Sequence, residues 1–215
     1  MNKLFAFAAT AVLGAALLIS GCGSSTNNDS SSGSKPEVLK VAANPVPHAE
    51  ILEQVKPILA KEGVDLQIIE FTDYIQPNMA LSSHEVDANF FANVPYQNNY
   101  NKDHGTNFVS FAPVHIEPLA IYSQKIKDLK DLPNGAKVGI PSDPTNSARA
   151  LLLLQSAGLV TLKDPTGLTN TPFDVTSNPK NIQITELEAA QIPRSIQDLD
   201  AAVINANYAL PAGLN

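Results

Sequence analysis

Tryptophan is absent from the sequence, and cysteine occurs only once, at Cys22. A lone cysteine cannot form an internal disulfide, and four histidines with one cysteine do not make a cysteine-rich or histidine-rich metal cluster. The 14 lysine and arginine residues are outnumbered by 21 acidic residues and form no basic cluster. Nucleic acid is therefore not expected as a partner, and we expect neither a metal site nor a cofactor.

The sequence also lacks the residue patterns that are typical of an enzyme. It shows no Ser-His-Asp order, no paired carboxylates and no glycine-rich phosphate loop, so we expect no catalytic activity. Of its 215 residues 44% are hydrophobic, and the net charge is −7. This composition is typical of a soluble globular body of one large domain or two small ones.

The N-terminus explains the single cysteine. Lys3 precedes an apolar stretch over residues 4–19, and the following Ile19-Ser20-Gly21-Cys22 resembles the lipobox of a bacterial lipoprotein. The alternatives are an ordinary secretory signal, which lacks the cysteine, and a membrane-spanning helix, which needs about 20 apolar residues. We expect residues 1–21 to be a lipoprotein signal peptide, and Cys22 to carry lipid, including palmitate, that anchors the chain to the bacterial membrane.

The next segment, residues 22–36, consists mainly of Ser, Gly, Asn and Thr. Such a segment buries too little apolar surface to order itself, so it is predicted to be a flexible tether. The tether would hold a folded body close to the membrane and outside the cytoplasm.

From Val38 onward, short apolar strands alternate with helical patterns, which predicts an α/β fold. The pattern restarts at Lys137, after extended segments that include a predicted strand over 108–116. We therefore expect one lobe over residues 37–117 and a second over 118–210, joined by a hinge. His48, His84 and His104 lie in polar surroundings and are expected to be exposed.

One segment of the second run combines a helix start with a buried charge. Ser142 or Asp143 can cap a helix whose first position is Pro144, and Arg149 follows on the second turn before four leucines. A guanidinium in apolar surroundings needs an anion, because burying an unpaired charge is costly. That anion is either a ligand or a carboxylate of the protein itself.

Five groups of residues, in register, resemble one known family. They are Asp87-Ala88-Asn89-Phe90-Phe91 with Val94-Pro95-Tyr96, His115-Ile116-Glu117-Pro118, Pro141 to Asn146 with Arg149, Leu187-Glu188 with Gln191 to Arg194, and Ala202-Val203-Ile204-Asn205 with Tyr208. The family is that of the NlpA-type lipoproteins, the methionine-binding substrate proteins of ABC importers. The resemblance covers essentially all of residues 38–213.

The resemblance implies a two-lobed periplasmic-binding-protein fold of type 2, which closes on its ligand at a hinge. It also implies capture of methionine, a closely related amino acid or a small methionine peptide, and delivery to an ABC permease in the membrane. Family members usually continue beyond the strand that ends at Asn205 and return to the first lobe. Residues 211–215 are therefore expected to start that return, with the second crossover missing. The alternative function is a surface lipoprotein that acts as an adhesin or protein-interaction module.

The resemblance also supplies candidate ligand contacts. Arg149 is expected to hold the ligand carboxylate, and Asn205 to offer its carbonyl to the ammonium group and its amide to the carboxylate. An alternative for Asn205 is a cap on the following turn. His115 and Glu117 are hinge candidates first and ligand contacts second, and Arg194 is expected in a structural ion pair.

The ligand side chain is expected to lie against aromatic rings, which suit a polarizable thioether. Tyr74, Phe91 and Tyr96 match the family positions that line this pocket, although ordinary core packing is an alternative for each of them. Asn93 stands where methionine-binding members commonly have histidine, which leaves the choice of amino acid or small peptide open.

Overall fold

The computed structural model of the protein describes residues 35–214, whose longer strands form two separate sheets. The predicted signal peptide, Cys22 and nearly all of the predicted tether lie outside the described residues. Within residues 35–214, no helix is both long and apolar enough to cross a bilayer. The alternation of strands and helices confirms the predicted α/β class.

The first sheet is parallel and has the strand order β2-β1-β3. Its strands and the helices that follow them are β1 (Glu37–Ala43), α1 (Glu50–Lys61), β2 (Val64–Glu70), α2 (Gln76–Ser82), β3 (Ala88–Phe90) and α3 (Val94–His104). A π-helical turn over Pro45–Ala49 joins β1 to α1. Gly63, with a φ of 83°, reverses the chain after α1 because glycine adopts this left-handed conformation without steric cost.

The second sheet has the strand order β4-β9-β5-β8, with β4 antiparallel to β9 and the other pairs parallel. Its elements are β4 (Leu119–Tyr122), β5 (Lys137–Pro141), α4 (Pro144–Ser156), β8 (Gln183–Leu187), α5 (Ile192–Ser195), β9 (Ala201–Asn205) and α6 (Ala206–Ala209). Between α4 and β8, the short antiparallel pair β6 (Thr161–Leu162) and β7 (Val175–Ser177) forms a two-stranded sheet of its own.

Helix α4 begins where the sequence predicts. The Asp143 side chain accepts a hydrogen bond of 2.9 Å from the Asn146 N–H, and Pro144 occupies the first turn. Of the four consecutive leucines, Leu151 and Leu154 are fully buried against the β5 strand and its neighbours. All five residues of β9 are buried too, as expected for a central strand covered on both faces.

Two predictions about individual segments are wrong. Residues 108–116 do not form a strand: the segment runs without a ladder partner among the described residues, and Phe111 and Ile116 are 85% and 91% exposed. A short extended apolar segment is compatible with a strand, but it does not show that a neighbouring strand is present to bond it. His48 is also not exposed; it is 2% accessible because its ring packs edge-on against Phe90 at 4.8 Å.

The burial of α4 predicts different costs for two adjacent leucines. Leu151→Ala should lower the free energy of unfolding by about 2–5 kcal/mol, since it leaves a cavity in a closely packed core. Leu152→Ala is the matched control, because Leu152 is only half-buried and should cost less. Urea denaturation of both variants would measure the difference. Equal losses would contradict the described packing of the helix.

Candidate functional site

The candidate site lies where β5 and β9 end, which is the edge at which open α/β sheets bind ligands. β5 leads through the capping turn into α4, which carries Arg149, and β9 ends at Asn205. Antiparallel pairing places Leu119 of β4 opposite Asn205, so the segment just before β4 also reaches this edge. Tyr74, which precedes α2, contacts the same region from the part of the chain that forms the first sheet.

Arg149 is half-buried and is held by two neutral oxygens. Its Nη1 donates to the Asn146 side-chain oxygen at 2.9 Å, and its Nη2 donates to the Glu117 backbone oxygen at 2.7 Å. It forms no ion pair with any carboxylate of residues 35–214. Burial lowers its pKa from the usual value, but an arginine stays charged. The positive charge is therefore oriented by the protein without being neutralised by a direct protein partner in this part of the chain.

Asn146 connects the two candidate ligand contacts. Its Oδ1 accepts from Arg149 and also from the Asn205 amide, at 2.9 and 3.1 Å. Its own amide nitrogen donates to both carboxylate oxygens of Asp143, at 3.1 and 3.0 Å. The sequence singled out Asn146 only as part of the family motif from Pro141 to Asn146, because spacing along one helix does not reveal a bond to a distant strand.

Asn205 is 3% exposed, and its two side-chain atoms differ in their surroundings. The amide nitrogen is used by Asn146, whereas the Oδ1 is buried and has no hydrogen-bond partner among the residues described. Although Asn205 precedes α6, its side chain makes no capping hydrogen bond. The structure thus gives no support to the alternative that it caps the following turn. A buried acceptor without a donor is costly, which marks this oxygen as a candidate ligand contact.

The predicted aromatic residues form one cluster with Tyr208, which sequence analysis did not select as a site residue. The ring centroid of Tyr74 lies 6.0 Å from the centroids of Phe91 and Tyr96 and 5.0 Å from that of Tyr208. The Tyr96 hydroxyl donates to the Tyr74 backbone oxygen at 2.7 Å, and the Tyr74 hydroxyl donates to the Asn207 side-chain oxygen at 2.6 Å. Burial raises the pKa values of all three tyrosines, so their hydroxyls remain neutral.

Asn93 lies beside this cluster with its side chain engaged in a different contact. It is exposed, and its Oδ1 accepts from the Tyr96 N–H at 2.9 Å, which caps α3. The cap fixes the start of the helix that carries Tyr96. A direct ligand contact of Asn93 stays a prediction.

Glu117 is a further acidic residue at this edge. Burial raises the pKa of its carboxyl to about 7, opposed by a hydrogen bond from the Asn207 backbone N–H and by the charge of Arg149. Its Oε1 is buried and has no partner within residues 35–214. The motif containing Glu117 was visible in the sequence, but its closeness to Arg149 follows only from the pairing of β4 with β9.

The other predicted residues lie away from this edge. The His115 ring lies 5.1 Å from that of the buried His48, tilted by 45°, and packs edge-on against Phe90. Burial and the neighbouring His115 lower the pKa of His48 to about 4. Arg194 is exposed and makes no ion pair with the residues described, so the prediction of a structural pair is not met there. No group of three or more potential metal ligands occurs in the described region.

Comparison with known proteins assigns the chain to a family. The family model described as NlpA lipoprotein matches residues 39–215. The D-methionine-binding lipoprotein MetQ of Salmonella typhimurium is 42% identical over 216 residues, which is 99% of this chain and 77% of that protein.

Solved structures are similar in fold as well as in sequence. An ABC transporter periplasmic substrate-binding protein from Coxiella burnetii has a TM-score of 0.78 and 44% identity, with 82% of this chain and 75% of that chain covered. A nutrient binding protein from Burkholderia cenocepacia, solved bound to methionine, has a TM-score of 0.78 and 48% identity with the same coverage. These matches confirm the resemblance and the periplasmic-binding-protein fold, and the chain belongs to the NlpA lipoprotein family.

Proposed function

We propose that the protein is a lipid-anchored substrate-binding protein, which captures methionine or a closely related amino acid or small methionine peptide and delivers it to an ABC permease. The observation that carries this proposal is a fixed arginine, without an ion-pair partner among the residues described, beside an unpartnered buried acceptor and an aromatic cluster. The relatives that bind methionine support the same ligand class and favour capture over the adhesin alternative.

Arg149 is the contact for the ligand carboxylate. A guanidinium has five N–H donors, and two hydrogen bonds within the protein leave donors for a carboxylate. Those two bonds fix the plane of the fork before the ligand arrives, so little side-chain entropy is lost on binding. Asn205 is linked to the same guanidinium because both side chains donate to Asn146 Oδ1. Its own Oδ1 is the contact for the ligand ammonium group.

The ligand side chain lies against Tyr74, Phe91 and Tyr96, with Tyr208 completing the wall. Three of the four rings carry hydroxyls, and those of Tyr74 and Tyr96 are hydrogen-bonded within the protein, so these two rings present mainly their faces. Aromatic faces and edges attract a thioether sulfur by about 0.3–1.5 kcal/mol, which favours methionine over a purely aliphatic side chain. Asn93 remains a candidate contact at the rim of this wall.

Ligand capture uses two lobes, residues 37–117 and 118–210, with 211–215 continuing from the second. Each proposed lobe has its own sheet, and the hydrogen bond from the Tyr74 hydroxyl to Asn207 links them across the site. A ligand that contacts Arg149 on one side and the aromatic residues on the other stabilises the closed arrangement. The signal over 1–21, lipidated Cys22 and the tether hold this body outside the cytoplasm beside the permease.

Titration tests the ligand class directly. We expect methionine to bind the purified protein with micromolar or tighter affinity in isothermal titration calorimetry. Norleucine, in which a methylene replaces the sulfur, should bind more weakly because it loses the sulfur–aromatic contact. Both enantiomers and small methionine peptides belong in the same series. No heat from any methionine-containing ligand contradicts the proposal.

Arg149→Lys tests the carboxylate contact while keeping the positive charge. Lysine cannot form the planar two-point contact, and loss of one hydrogen bond to a charged group costs about 1.5–3 kcal/mol, or roughly tenfold or more in the methionine Kd. Arg194→Lys is the matched control on the exposed surface and should leave the Kd unchanged. An unchanged Kd in the Arg149 variant, with the fold verified by circular dichroism, returns this arginine to a purely structural role.

Cys22→Ser tests the anchor. Cys22 is the single cysteine of the sequence, so its replacement should abolish incorporation of labelled palmitate and move the protein from the membrane fraction to the soluble fraction. Ser24→Ala, two residues further along the predicted tether, should keep both the label and the membrane association. Retention of the label in the Cys22 variant excludes lipidation at this position.

A further inference from the structure

The backbone of Glu117 is fixed at the candidate site from two directions. Arg149 Nη2 donates to its carbonyl oxygen at 2.7 Å, and the Ala206 N–H donates to the next carbonyl, that of Pro118, at 3.0 Å. Since Leu119 lies opposite Asn205 in the antiparallel ladder, residue 117 lies beside Asn207, two positions further on. The side chain of Glu117 therefore leaves the backbone between the guanidinium and the end of β9.

One oxygen of its carboxyl group accepts a hydrogen bond from the Asn207 backbone N–H. The Oε1 atom is buried and has no partner in the described part of the chain. The Asn205 Oδ1, at the end of the strand that pairs with β4, is in the same condition. Leaving a buried acceptor unpaired costs about 1–3 kcal/mol, and more for a charged group, so two such acceptors at the ends of paired strands indicate a ligand with several donors.

An ammonium group has three N–H donors and no acceptor, which fits this pair of oxygens. A neutral amide such as Asn205 supplies a hydrogen bond but does not neutralise a charge. Taking an ammonium ion from water into a half-buried site is costly unless an opposite charge compensates it. We propose that Glu117 is the anionic partner of the ligand ammonium group, with Asn205 as its second acceptor. This inference rests on the amino-acid site proposed above.

The charged and titratable groups that act on Glu117 are Arg149 on α4 and Tyr74 in the turn before α2. Asp143 in turn interacts with the Arg149 guanidinium. Burial raises the pKa of the Glu117 carboxyl to about 7, so it is partly protonated near neutral pH without ligand. A bound ammonium group favours the carboxylate and lowers that pKa. Below pH 7, binding then releases a proton, and affinity rises with pH until the free carboxyl is fully ionised.

The experiment measures methionine binding between pH 5.5 and 8 in buffers of different ionisation enthalpy. The ionisation linkage predicts a Kd that weakens by up to about tenfold for each unit below pH 7, with proton release of up to one per ligand. Glu117→Gln should weaken methionine binding at pH 8 and abolish both the pH dependence and the proton release. Glu186→Gln is the matched control: this exposed carboxylate on β8 bonds Ser147 and should keep the wild-type profile.

Desamino-methionine, in which hydrogen replaces the amino group, separates a charge contact from a structural role. Its binding should not be weakened by Glu117→Gln, because it retains the carboxylate for Arg149 and has no ammonium group. Equal weakening of both ligands, or a flat wild-type pH profile, overturns the role of Glu117. If the variant does not fold, the wild-type proton release alone decides. If the wild-type protein binds no methionine, the proposed function is overturned as well. If it binds methionine without the expected pH dependence, only the role of Glu117 is overturned.

Discussion

The side-chain oxygen of Asn146 is the constraint on which the candidate site depends. It accepts from both Arg149 and Asn205, while the amide nitrogen of the same side chain is held by the two oxygens of Asp143. Because Asp143 also caps α4, one short turn fixes the start of the helix and the direction of the Asn146 oxygen. A charged donor and a neutral amide from distant parts of the chain are thereby oriented before any ligand binds, which reduces the entropic cost of binding.

That arrangement is precise because the elements that carry it are rigid. α4 is anchored by Leu151 and Leu154 in the largest buried cluster, and β9 runs through the middle of the second sheet with every residue buried. A buried polar network keeps its geometry only when the surrounding packing prevents it from relaxing. The core of the second sheet therefore has a functional consequence as well as a stabilising one: it holds the polar ends of α4 and β9 in register.

The sequence predicted α4, its cap and the buried Arg149, because each of these depends on residues that are close in the chain. It offered Glu117 as a ligand contact only after a hinge role, and it did not select Asn207 or Tyr208 as site residues, since the closeness of β4 to the end of β9 arises from pairing between distant strands. The strand predicted over 108–116 is wrong for the same reason, as the local sequence carries no information about a partner strand. The expected exposure of His48 failed because the contact with Phe90 spans two elements.

The spacing of the polar contacts also bears on which ligand fits. Arg149 Nη1 and the Asn205 amide nitrogen share one acceptor, so they lie within about 6 Å of each other. An α-amino acid separates its ammonium and carboxylate groups by a single carbon, whereas each further residue of a peptide adds up to about 3.3–3.6 Å. A carboxylate on Arg149 with an ammonium group at the neighbouring Asn205 oxygen thus matches a free amino acid. If its carboxylate lies on Arg149, a methionine peptide in an extended conformation places its ammonium group further from the Asn205 oxygen than a free amino acid does.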